Sequence, residues 1–111
     1  MSKNITNYSD LETLLKKENS KVIVMCSTSW CGPCKKIKPE LEKMSTDPDN
    51  TGIDFAYVDC EQFSDPDEKI LNFVRGYPTF FSYYKGLIRC TLSGASLDKL
   101  RQMTQELNSY T

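Results

Sequence analysis

Two cysteines separated by two residues, Cys31 and Cys34, carry the clearest chemical potential in this chain. Such a pair can close a small disulfide and open it again. Its setting is Trp30-Cys31-Gly32-Pro33-Cys34. Ahead of it, Val22-Ile23-Val24-Met25-Cys26 reads as a buried strand; behind it, residues 35–44 read as a helix. A cysteine at the mouth of a helix faces unpaired backbone N–H groups and the positive end of the dipole. That environment favours thiolate over thiol, and the thiolate is the nucleophile. A strand that delivers Cys31 to a helix start is therefore an arrangement for thiol–disulfide redox chemistry.

The same spacing occurs in static disulfides and in zinc half-sites. Zinc would require a second pair or histidines, and the chain has one C-x-x-C and no histidine, so no metal is expected. The five cysteines are odd in number and unevenly spaced, unlike the even, dense set of a secreted scaffold. A reducing, cytoplasmic setting is the expectation. The net charge of −1 gives no electrostatic reason to expect nucleic acid or an anionic membrane as partner. No apolar run approaches the length of a membrane span. The start, Met1-Ser2-Lys3-Asn4, lacks the apolar core of a signal peptide, and the end, Asn108-Ser109-Tyr110-Thr111, is neither a retention nor a prenylation signal. The 111 residues fit one domain.

The elements that must hold the pair follow from periodicity. Residues 4–6 form a weak edge strand. Ser9-Asp10-Leu11-Glu12 has capping-box spacing, with Ser9 as N-cap, and Leu11, Leu14 and Leu15 share one helical face. Residues 21–27 read as a central strand buried on both sides. The helix after the pair, residues 34–45, contains Pro39. A second central strand spans residues 53–59. Pro66 opens a further helix through about residue 74. Residues 79–84 and 87–92 flank the hairpin turn Lys85-Gly86, and Ser96 caps a last helix bearing Leu97, Leu100, Met103 and Leu107. This order predicts an α/β sandwich whose first half is parallel and whose last two long strands are antiparallel.

With these features the chain resembles the thioredoxin family over nearly its whole length. The anchors are Trp30-Cys31-Gly32-Pro33-Cys34-Lys35, the helix proline Pro39, the turn Gly76-Tyr77-Pro78-Thr79, the hairpin glycine Gly86, and Gly94-Ala95 before the last helix. The resemblance implies a thioredoxin fold, with a central mixed β-sheet of about five strands flanked by four helices, as a single domain over residues 1–111. It implies a protein-disulfide reductase without a cofactor beyond the Cys31–Cys34 disulfide, acting as a monomer on disulfide-containing clients and recharged by a thioredoxin reductase. Cys31 would attack the client and Cys34 would resolve the mixed disulfide. Trp30, Gly32 and Pro33 would shape the loop. Tyr77, Pro78 in a cis peptide, Gly94 and Ala95 would line the groove where an extended client segment adds to the fold.

Two departures from the family pattern stand out. A buried aspartate is common six residues before the first cysteine, where this chain has Met25; its usual lysine partner corresponds to Tyr57. Without that acid, the proton of Cys34 is expected to leave through water, with slower resolution. The run Arg75-Gly76-Tyr77-Pro78-Thr79 resembles protein disulfide isomerases, whereas Gly-Pro between the cysteines resembles thioredoxins.

Two other functions fit parts of this pattern: an oxidant or isomerase, and a binding module of the same fold whose thiols are incidental. Cys26 and Cys90 read as buried structural cysteines, and Cys60, at a strand end, as a more exposed thiol open to regulation or to intermolecular pairing. Lys35, Lys36 and Lys38 read as a solvated helix face, and the aromatic run Phe80-Phe81-Ser82-Tyr83-Tyr84 as core packing.

Overall fold

The chain forms, in order, β1 (Lys3–Ile5), α1 (Tyr8–Leu15), β2 (Lys21–Ser27), α2 (Gly32–Thr46), β3 (Asp54–Asp59), β4 (Thr79–Tyr84), β5 (Leu87–Ser93) and α3 (Leu97–Ser109). Short 3-10 turns occupy Pro48–Asn50 and Leu71–Phe73. This computed structural model describes residues 2–110. Met1 and Thr111, which the single-domain expectation and the readings of the two chain ends include, lie outside the described residues.

The five strands make one sheet in the order β1-β3-β2-β4-β5. β1 and β2 run parallel to β3, while β4 runs antiparallel to both β2 and β5. β2 is central, and its side chains alternate between two cores. Val22, Val24 and Cys26 face α1 with Leu11, Leu14, Leu15, Phe63 and Ile70. Ile23 and Met25 face α2 and α3 with Ile37, Leu41, Leu100, Met103 and Leu107. Burial on both sides is why this strand reads as an unbroken apolar run. Each such side chain contributes about 1.5–3 kcal/mol by leaving water. The aromatic run of β4 is buried throughout.

Two local expectations are corrected. α1 is capped by Asn7, not Ser9: the Asn7 side chain accepts the Asp10 N–H at 2.8 Å. Asn7 bridges to Ser64, and the Tyr8 N–H bonds the Ser64 carbonyl at 2.9 Å, so a distant loop fixes the helix entry two residues earlier. The flanking helices number three among the described residues, not four. Residues 66–74 form turns and the 3-10 turn at Leu71–Phe73. The Asp65 carboxylate accepts the N–H groups of Lys69, Ile70 and Leu71 at 3.0, 2.8 and 2.9 Å. Those donors would otherwise build the first α-turns. Glu68 at φ 51° lies in the left-handed region, which also stops an α-helix there.

The other boundaries agree closely with the periodicity. Lys85 and Gly86 both take positive φ, 52° and 81°, as a two-residue hairpin turn of the primed type requires. The Ser96 hydroxyl accepts the Lys99 N–H at 3.3 Å and caps α3. Pro39 stays within α2, at the cost of the N–H that would have bonded the carbonyl four residues back. No helix among the described residues is long and apolar enough to cross a membrane.

Candidate active site

β2 ends at Ser27, and four residues later Cys31 is the N-cap of α2. Its Sγ accepts the Cys34 N–H at 3.2 Å, so the sulfur occupies the place of a capping oxygen among the unpaired donors of the first turn. Cys31 and Cys34 are joined in a disulfide, with Cα atoms 5.3 Å apart. The Cys31 N–H bonds the Thr28 carbonyl at 3.3 Å, which fastens the loop to the strand end. Both cysteines are enclosed, at 4% and 2% exposure, so helix position rather than exposure distinguishes them. Only at the N-cap does a sulfur meet the helix donors and the dipole together.

The neighbours of the pair come from three separate segments. Trp30 is 68% exposed and meets Tyr77 edge-on, with ring centroids 5.6 Å apart. Gly32 and Pro33 are exposed, and a Cβ at Gly32 would meet no atom within 4 Å. The Tyr77–Pro78 peptide is cis. The Pro78 carbonyl accepts the Gly94 N–H at 2.9 Å, which brings exposed Gly94 and Ala95 to the same turn. All nine positions singled out in the sequence therefore lie in two contacting loops and the start of α2.

Behind the pair, Met25 is fully buried in the cluster that holds both cysteines. It stands in register with Tyr57 on β3, the partner position named from the sequence, and with Phe80 on β4. The Tyr57 hydroxyl donates to Ser27 Oγ at 3.0 Å, and Lys38 Nζ lies 3.8 Å from the centre of the Tyr57 ring. A pocket of about 340 Å³ opens beside Cys34, lined by Ser27, Thr28, Lys38, Glu42 and Tyr57 among others. Sequence reasoning missed Thr28. Its buried side chain lies one residue beyond the strand, and nothing in the local pattern separates it from a surface threonine.

Cys26 and Cys60 also come together. Cys60 follows β3, its N–H bonds the Ser27 carbonyl at 2.8 Å, and its side chain packs on the cluster that includes Cys26. A hydrogen bond from the Cys26 thiol holds the Cys60 thiol below its ordinary value; burial opposes this and the Tyr77 hydroxyl adds to it. The same bond, reinforced by burial, pushes Cys26 well up. Cys90, expected to be buried, is only half-buried, because β5 is an edge strand with a largely exposed surface. Among the described residues no group of three or more histidine, cysteine or acidic side chains could hold a metal.

Comparison with known proteins agrees with this geometry. The sequence model of the family described as Thioredoxin matches residues 2–106. Thioredoxin-3 of Dictyostelium discoideum is 34% identical over 104 residues, covering 94% of this chain and 93% of that protein. The crystal structure of Malassezia sympodialis thioredoxin superposes with a TM-score of 0.86 at 26% identity, over 98% of this chain and 92% of that one. Mitochondrial thioredoxin 3 of Saccharomyces cerevisiae, in its oxidized form, gives a TM-score of 0.81 at 26% identity, over 95% and 94% of the two chains.

Proposed function

The chain belongs to the thioredoxin family, and from that premise we propose that it reduces disulfides in client proteins, with Cys31 as the attacking thiol and Cys34 as the resolving one. It is a thiol–disulfide oxidoreductase; proteins of this family carry out the exchange with their own cysteine pair. In the first step the Cys31 thiolate attacks one sulfur of a client disulfide. A Cys31–client bond forms, the client disulfide breaks, and the second client sulfur leaves as a thiolate. In the second step Cys34 loses its proton and attacks the Cys31 sulfur. The Cys31–Cys34 bond forms, the Cys31–client bond breaks, and the client departs with two reduced sulfurs. A thioredoxin reductase then returns two electrons to the pair.

The observation that carries this reading is the Cys31 sulfur at the N-cap of α2, accepting the Cys34 N–H while bonded to the Cys34 sulfur. A thiolate released there keeps its hydrogen bond, which favours ionisation near neutrality. Trp30, Tyr77, Gly94 and Ala95 form the surface offered to the client, the buried Pro78 holds the turn beneath it, and Gly32 and Pro33 are its open rim. The protein acts as a monomeric single domain in the cytoplasm.

Insulin reduction followed by turbidity, first with dithiothreitol and then with a thioredoxin reductase as donor, tests the activity. Cys34→Ser should accumulate a covalent Cys31–client adduct, and Cys31→Ser should form none; absence of the adduct would sink the assignment. The competing reading, an isomerase, rests on the run Arg75-Gly76-Tyr77-Pro78-Thr79. A redox potential near about −270 mV supports the reductant, and one near about −180 mV the isomerase.

A further inference from the structure

The second step requires Cys34 to shed a proton from an enclosed position. The residue that would accept it as a buried acid is Met25 here, and Tyr57 rather than a cation opposes it. Glu42, the carboxylate on the adjoining pocket, is already engaged by the N–H and the hydroxyl of Ser2. Among the described residues, one buried side-chain polar atom has no hydrogen-bond partner: Thr28 Oγ1, on a residue 5% exposed that lines the same pocket as Cys34. A buried hydroxyl without a hydrogen bond lowers stability, so such a group calls for a function.

We propose that the Thr28 hydroxyl relays the proton of Cys34 during resolution of the mixed disulfide. The Cys34 thiol exists only after the Cys31–Cys34 bond has opened, so in the disulfide state the hydroxyl waits without its partner. Once the thiol forms, its proton passes to Thr28 Oγ1, directly or across one water, and the Thr28 proton passes on to water in the pocket. The hydrogen-bonded pair of Tyr57 and Ser27 lines that water path. The space is ample for water, and the hydroxyls of Ser27 and Tyr57 with Lys38 and Glu42 offer it polar partners. The Cys34 thiolate then attacks Cys31, and the proton reaches solvent and finally the departing client thiolate. Besides Cys34, the titratable or charged groups on this pocket are Lys35, Lys38 and Glu42 of α2 and Tyr57 of β3. Lys35 and Lys38 favour the thiolate that results but cannot accept a proton while charged.

The inference rests on Cys34 being the resolving thiol, and the experiment separates the two. Reduced protein is mixed in a stopped-flow instrument with a chromogenic aromatic disulfide, which releases one coloured thiolate at each step. Cys34→Ser must abolish the second release; if it does not, the proposed function fails first. Thr28→Val keeps the shape and removes the hydroxyl. It should leave the first release unchanged and slow the second roughly tenfold near neutrality, below the 10²–10⁴-fold of a full acid–base group because water still has access. The pH profile of the second step should move upward. Thr28→Ser should restore both the rate and the profile. Thermal unfolding of Thr28→Val should match or exceed that of the parent. An unchanged second step, equal slowing of both steps, or equal slowing by valine and serine would overturn the relay.

Discussion

Met25→Asp places a carboxyl at the most enclosed point behind the active pair. Met25 is fully buried between Tyr57 and Phe80, its register partners on the two neighbouring strands. Removing the methionine from its packing costs about 2 kcal/mol. An aspartate there meets no cation in register: Tyr57 stands opposite, and Lys38 Nζ lies over the tyrosine ring. A fully buried carboxyl without a partner rises by about 3 pH units or more, each worth about 1.4 kcal/mol. The folded state then retains a proton that the unfolded chain loses near pH 4. Because the folded value lies above the unfolded one, this group's contribution is complete below about pH 4. It is lost at about 1.4 kcal/mol per pH unit as the pH rises towards the folded value. The variant should therefore be less stable than the parent by about 2 kcal/mol near pH 4 and by about 6 kcal/mol near pH 7. Urea unfolding of both proteins across that range, with m-values compared, reads the difference directly. A difference independent of pH, or a gain of stability near neutrality, would refute the claim that this position lacks a charge partner. The ionised aspartate would also act as a base towards Cys34. The second, resolving step should accelerate with rising pH in the folded variant, and an unchanged rate and profile would count against the expected role of a buried acid.

Three further perturbations follow from the geometry. Asp65→Ala removes the carboxylate that holds three backbone N–H groups between Lys69 and Leu71, and should cost about 2–4 kcal/mol in a urea melt; a loss within ±0.5 kcal/mol, typical of a neutral surface change, would show that this segment does not depend on its side-chain anchor. Trp30→Ala should weaken client reduction several-fold while changing stability by less than about 1.5 kcal/mol, the scale of one edge-on aromatic contact. Full insulin-reducing activity of that variant would remove Trp30 from the client surface. With Cys31 and Cys34 both replaced by serine, iodoacetamide should label Cys60 at lower pH than an ordinary thiol, because the Cys26 thiol donates to it. Cys26→Ala should shift that labelling upward; a profile indifferent to Cys26 would show that the two sulfurs are not paired.

Much of the architecture was legible because its signals are short-range. β2 and β4 lie where alternation and apolar runs placed them, and α3 begins at the serine expected to cap it. The two failures over helix limits have one cause. Asn7 displaces Ser9 as cap because Ser64 binds the preceding backbone, and the segment after Pro66 stays irregular because a single carboxylate captures its donors. Both are decided by where backbone hydrogen bonds go, and local propensity does not record that. At the candidate site, the pair and its helix mouth were visible as a motif. The edge-on packing of Trp30 on Tyr77, the meeting of Gly94 with Pro78 and the approach of Cys60 to Cys26 join residues 34 to 47 or so positions apart in some cases and 16 in another, and no periodicity carries such contacts.

By itself, then, the order of residues determined which sulfur sits at a helix entrance, which strands run apolar on both sides, and that position 25 holds no acid. Those are properties of neighbours along the chain and of their side-chain types. Tertiary structure alone decided that Asp65 unmakes a helix, that Cys60 meets Cys26, and that Thr28 has a buried hydroxyl with no protein partner on the pocket that Cys34 lines. Whether a buried polar group is satisfied depends on every atom that reaches it in space, and that set exists only once the chain has folded.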